Sequence, residues 1–257
     1  MTTALRAELD QVVKKAYDVF GVYRIESPLG ACTQCCLTPD EEQQLLNTPV
    51  EEISFELMAL WFSAAKSIEE NRIAPKYFLP RVLELISQRY DPTIVPEQVF
   101  QDVAMEDNSV QGKLETEVIS SFCNRIICDR LKVYDPGKGL TILELLEMAW
   151  FGRVDILPSL ELWKLTNTKE AALWFWFMFS TYIEFRNGFS KTINCNTRIS
   201  SASKFDAILD CWLNDFDTVD KFVQKLQLVR KSDFDRKTVE WEDFRIFLSN
   251  FEKFCRQ

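Results

Sequence analysis

Apolar residues recur every three or four positions along most of this 257-residue chain, and the strict alternation that marks strands is nearly absent. Leu5, Leu9, Val12, Ala16 and Val19 keep that step and predict an opening amphipathic helix over 3–20. Leu57, Leu60, Trp61, Ala64, Ala65 and Ile68 trace a second buried stripe, and Leu114, Val118, Phe122 and Ile126 a third. Helix starts are written in the polar positions between the stripes. Thr38-Pro39-Asp40-Glu41 combines a Thr cap, a proline at the first helical position and a Glu three residues after the cap. Thr48-Pro49-Val50-Glu51 repeats the device, and Thr141-Ile142-Leu143-Glu144 repeats it without proline. The pattern predicts about ten helices, over 3–20, 39–47, 55–70, 80–89, 96–103, 111–133, 141–151, 156–166, 169–186 and 203–216. Two more follow over 218–229 and 239–256. The helix over 169–186 is apolar almost all round, with Ala171–Phe179 an unbroken run, which predicts a central helix enclosed by its neighbours. A hydrophobic ligand pocket lined by its rings is the functional alternative.

These elements define an all-α chain, a multi-helix array or irregular bundle. It reads as one domain over 1–257, divisible into halves 1–134 and 140–257 at the turn-forming stretch Tyr134–Gly139. Phe78-Leu79-Pro80-Arg81-Val82-Leu83-Glu84-Leu85 echoes Ile156-Leu157-Pro158-Ser159-Leu160-Glu161-Leu162, each reading as a Leu-Pro helix entry. The echo makes a HEAT-like α-solenoid the alternative to a plain array.

Composition narrows the chemistry more than the fold. Seven Gly and nine Pro leave few turns, which favours long helices. The chain contains no histidine, so Ser-His-Asp and Cys-His nucleophiles and His-carboxylate metal sites are excluded. Ferritin-like Glu-x-x-His sites fall with them. A net charge of −9 disfavours nucleic acid and anionic lipid as partners, because affinity for phosphate rests on Lys and Arg. Acids gather in two windows: Asp40, Glu41, Glu42, Glu51, Glu52 and Glu56, then Asp206, Asp210, Asp215, Asp217 and Asp220. They read as solvated helix faces or as a docking surface for a basic protein.

Cys32, Cys35 and Cys36 form a C-x-x-C-C cluster. Cys32 and Cys35 have the spacing of half a zinc knuckle, so Zn is the cofactor alternative to none. A second C-x-x-C is lacking, and Cys123 and Cys128 would diverge by about 140° on one helix. Completing four thiolates would require scattered residues such as Cys195, Cys211 or Cys255. The same cluster could act as a redox dithiol, but without the βαβ context of thioredoxins. Paired carboxylates at Glu144 and Glu147, or at Asp206 and Asp210, share helix faces and are the only acid–base option. Asp135-Pro136-Gly137-Lys138-Gly139 lacks Walker spacing and reads as a turn.

The cysteine pair Cys32-x-x-Cys35, followed by two short helices and by Tyr77-Phe78-Leu79-Pro80-Arg81-x-x-Glu84-Leu85, resembles a family of uncharacterised bacterial proteins. The resemblance covers about a quarter of the chain. It implies an all-helical fold and carries over no activity, cofactor or site residue.

The charged opening segment (Arg6, Glu8, Asp10, Lys14, Lys15, Asp18) does not read as a signal peptide, and no apolar run approaches the about 20 residues of a membrane span. These features predict a soluble cytoplasmic protein with reduced thiols and no membrane partner. The expectation is a non-enzymatic protein that binds another, basic protein, an antidote to a basic bacterial toxin being its concrete form. A metal- or thiol-dependent protein using Cys32, Cys35 and Cys36 is the alternative.

Overall fold

A computed structural model describes residues 3–32, 36–65, 73–90, 100, 103, 109–182, 202–234 and 238–255. Among them are eleven α-helices, two short 3-10 turns and no strand. The fold is all-α, and its helices pack in an irregular array. The chain divides into two compact units: Met1–Asp129 with Gly137–Ile156, and Arg130–Pro136 with Leu157–Gln257. The chain therefore passes between units three times, and the stretch Tyr134–Gly139 holds one of those passages.

The first unit contains α1 (Thr3–Phe20), α2 (Pro39–Asn47), a 3-10 turn (Val50–Glu52), α3 (Phe55–Ser63), α4 (Ala74–Ser87), α5 (Val110–Arg130, except its last residue) and α6 (Ile142–Phe151). Helix α1 lies along α4. Its buried seam is Leu9, Val13, Ala16 and Phe20, rotated slightly from the predicted stripe. Polar arms lock that seam. The Arg6 guanidinium donates to the Ser87 carbonyl at 2.8 Å, and the Tyr17 hydroxyl donates to Glu84 Oε2 at 2.7 Å. Burial and Glu84 together push the Tyr17 phenol far above its ordinary range. Two of the three predicted capping boxes exist: Thr38 with Glu41 opens α2, and Thr141 with Glu144 opens α6, whereas Thr48 ends α2 and the 3-10 turn after it starts without a side-chain cap.

Two boundaries differ from the pattern. Helix α3 ends at Ser63, and it buries Met58, Trp61 and Phe62 while Leu60 is exposed. Helix α4 begins at Ala74-Pro75, so Pro80 does not open it but lies in its interior, fully enclosed. Pro158, by contrast, is the second residue of its helix. The two Leu-Pro segments thus occupy different places in their helices, which removes the echo as support for a repeat. The predicted helix over 96–103 lies outside the described residues apart from Phe100 and Val103.

The second unit contains α7 (Leu157–Leu165), α8 (Lys169–Tyr182), α9 (Ala202–Leu213), α10 (Phe216–Leu226) and α11 (Thr238–Cys255). Helix α8 is the enclosed element that its composition predicts: from Ala171 to Phe179 only Phe177 is not fully buried. Trp174 anchors the preceding segment, its Nε1 donating to the carbonyls of Arg130 at 2.9 Å and Val133 at 3.1 Å. Helix α10 packs against α7, α8, α9 and α11. It starts after Asp215, whose carboxylate accepts from the Thr218 amide and hydroxyl, so the predicted helix over 203–216 breaks at Asn214 instead.

Candidate functional site

The acidity of the chain is not shared between the units. The first holds 24 acidic and 13 basic side chains, a net of −11; the second holds 15 and 17, a net of +2. Within the second unit the predicted acidic window is largely spoken for. Asp215 caps α10, Asp217 meets Lys221 at 3.0 Å and Lys164 at 3.3 Å, and Asp220 accepts from Gln224 at 2.7 Å. Thr218 and Lys164 hold the Asp215 carboxyl below its ordinary value, and Lys221 does the same for Asp217. Asp206 and Asp210 are both half-buried on α9.

The first window divides by role. Glu41 completes the α2 cap, and the Thr38 amide and hydroxyl hold its carboxyl below the usual range. Glu42 turns inward and accepts the Leu29 amide at 2.5 Å. That leaves Asp40, Glu51, Glu52 and Glu56 exposed, and among the described residues none has a cation within salt-bridge distance. Three of them lie within one short stretch, the 3-10 turn and the first turn of α3, set against α4. Aromatic rings adjoin them. Tyr90, half exposed, lies over Phe55 with ring centroids 5.2 Å apart. Tyr77 is partly exposed, and burial, then the nearby Glu51 charge, raises its pKa. Leu60 adds apolar surface one turn beyond Glu56. The result is a group of exposed carboxylates with partly exposed aromatic rings beside it.

The cysteine cluster sits at the other end of α3. The Cys32 amide donates to the Ala65 carbonyl at 2.7 Å, and the Cys32 carbonyl accepts from the Leu37 amide at 3.0 Å. Cys32 and Cys36 are half-buried thiols, and Cys35 lies outside the described residues. Among the described residues no group of three Cys, Asp or Glu side chains is arranged to hold a metal ion. Glu144, proposed to pair with Glu147, instead turns its carboxylate back onto the Thr141 amide at 2.6 Å. The segment 135–139 is a turn, with Gly139 at φ 63°. No described helix is long and apolar enough to cross a membrane.

Of the buried charged groups among the described residues, Glu115 and Lys225 stand where the pattern predicts apolar side chains. Glu115 replaces the expected Leu114 on the inner face of α5; it accepts from Lys76 at 2.7 Å and from the Tyr23 hydroxyl. Lys225 stands on the apolar stripe of α10 and is 3% exposed. Its ammonium lies 4.3 Å from the Phe222 ring centre and donates to the Trp163 carbonyl at 2.9 Å and the Lys164 carbonyl at 2.6 Å, at the C-terminus of α7. Neither group opens onto a chemistry of its own: one cross-links α4 to α5, the other caps a helix.

Compared with family models, curated proteins and solved structures, the chain matches none.

Proposed function

We propose that the protein acts by binding a basic partner protein through the face formed by Glu51, Glu52, Phe55, Glu56, Tyr77 and Tyr90. The observation that carries this reading is the placing of exposed carboxylates without described cations beside partly exposed aromatic rings, within the unit that holds all of the chain's net negative charge. A field of one sign steers an oppositely charged partner, and ring edges add short-range contact once it arrives. The concrete form we favour is an antidote to a basic bacterial toxin: covering the cationic surface with which a toxin holds its own anionic target would neutralise it. The reading takes no catalytic residue and no cofactor, and it places the protein in the cytoplasm, where such a partner is made.

Immobilised wild-type protein should capture one predominant basic protein from the producing cell at low ionic strength. The Glu51→Gln, Glu52→Gln, Glu56→Gln variant should stay folded, since these side chains make no described hydrogen bond or ion pair, and should lose at least tenfold of that capture. Equal capture by the variant would refute the assignment of this face. Expression of the captured protein alone should arrest growth, and co-expression of this chain should restore it; a harmless partner would remove the antidote form of the proposal.

A further inference from the structure

The loop between α1 and α2 carries a second inference, independent of the charged face. A chain extended from Cys32 to Cys36 would separate their Cα atoms by about 13 Å. Here the Leu37 amide reaches the Cys32 carbonyl at 3.0 Å, which brings the two described ends together. Covalent geometry then holds the Cα atoms of Cys32 and Cys36 within about 8 Å of each other. Disulfides span roughly 4.4–6.8 Å between Cα atoms, so little movement is needed to join them.

Both ends of the turn are fixed. The Cys32 amide is bound to the Ala65 carbonyl just after α3, and Leu29 and Leu37 on either side are buried. Leu29 is further held by Glu42, and Thr38 begins α2 immediately after. Cys32 and Cys36 themselves are partly exposed. The other described thiols lack this combination. Cys123 is buried, and that burial pushes its thiol up to about 12; Cys128 and Cys211 are more exposed but stand on the helices α5 and α9, with no second described cysteine drawn against them by a turn.

We infer that Cys32 and Cys36 are a thiol-oxidation site, closing reversibly to an intramolecular disulfide by exchange with a small-molecule disulfide of the glutathione type. The thiolate of one cysteine attacks a sulfur of oxidised glutathione, forming a mixed disulfide and expelling one glutathione thiolate. The second cysteine then attacks the protein sulfur of that mixed disulfide and expels the other glutathione. The protein loses two electrons and two thiol protons; the small disulfide gains both and leaves as two thiols. Oxidation would tie Cys36, just before α2, to Cys32, whose amide is held by the Ala65 carbonyl just after α3.

The test uses the full-length chain, native by circular dichroism, incubated with oxidised glutathione, alkylated and digested with trypsin. In a Cys35→Ser variant the peptide between Arg24 and Lys66 contains only Cys32 and Cys36. It should lose two hydrogens and carry no glutathione, while Cys211 in the same sample retains one. In the Cys35→Ser, Cys36→Ser variant the intermediate should be trapped as one glutathione on Cys32. In wild type, dithiothreitol should restore both thiols. If Cys32 and Cys36 of the Cys35→Ser chain each keep a glutathione, or both stay unreacted while Cys211 is modified, the inference is wrong.

Discussion

Between about pH 8 and 10.5 the wild-type protein should gain about 3 kcal/mol of stability relative to its Lys225→Met variant. The Lys225 ammonium is buried among aromatic rings, and burial, helped slightly by Lys221 one turn away, lowers its pKa from 10.5 to about 8. Among the described residues no carboxylate reaches it; its partners are the Trp163 and Lys164 carbonyls and the Phe222 face, while the Lys164 ammonium itself is taken by Glu161 and Asp217. The sign follows from proton counts. Between pH 8 and 10.5 the unfolded chain keeps a proton on this lysine that the folded chain has released, so stability rises with pH across that window. Below it the folded state bears the cost of a desolvated charge, and above it both states are neutral. Cys123 acts in the opposite sense: its folded thiol titrates near 12 against 9.0 when exposed, so it takes stability away above pH 9. The raised phenols of Tyr17, Tyr23 and Tyr77 do likewise above pH 10. Those terms are common to both proteins and cancel in the difference. Urea midpoints of the pair, read at half-unit intervals of pH, check the claim; parallel curves would mean that Lys225 is solvated.

Trp163→Ala should cost about 4–6 kcal/mol, enough to bring the second unit close to unfolding. Trp163 is 1% exposed. Its ring meets Phe175, Trp212 and Phe222 at centroid distances of 6.3, 5.6 and 5.8 Å, and its Nε1 donates to the Ala171 carbonyl at 2.9 Å. Truncation leaves a cavity between α7, α8, α9 and α10 and strips a buried carbonyl of its donor, two losses with separate causes. Trp163→Phe keeps most of the ring contact and should cost less than half as much. Hydrogen exchange should localise the damage: amides of α7, α8 and α10 lose protection in Trp163→Ala, while those of α1 and α4 change least. Uniform loss over the whole chain, or a cost below about 1 kcal/mol, would contradict this description of the core.

The sequence states the class of the fold and several of its boundaries because those rest on local signals. Thr38-Pro39-Asp40-Glu41 marks the first residue of α2 by capping chemistry alone, and the apolar run at 171–179 announces an enclosed helix. Pro80 misleads because its place in the interior of α4 depends on burial, which a local rule that reads proline as a helix start cannot include. Glu115 and Lys225 were legible in part. Each stands where its helix's apolar stripe continues: Lys225 beside Val219, Phe222 and Leu226, Glu115 one step from Val118 and Ile119. Their partners lie 39 and about 60 residues away, so the pattern shows the anomaly without its compensation. The total charge is also plain in the sequence. Its confinement to one unit is not, since the chain passes between units three times and a linear window mixes the two.

The charged face is the centre of this account, and ionic strength tests it most directly. With the captured partner purified, calorimetric titration over a range of salt should show wild-type affinity falling linearly on logarithmic axes. The Glu51→Gln, Glu52→Gln, Glu56→Gln variant should bind more weakly at low salt and lose most of that slope. An affinity indifferent to salt, or identical slopes for the two proteins, would place recognition elsewhere on the molecule.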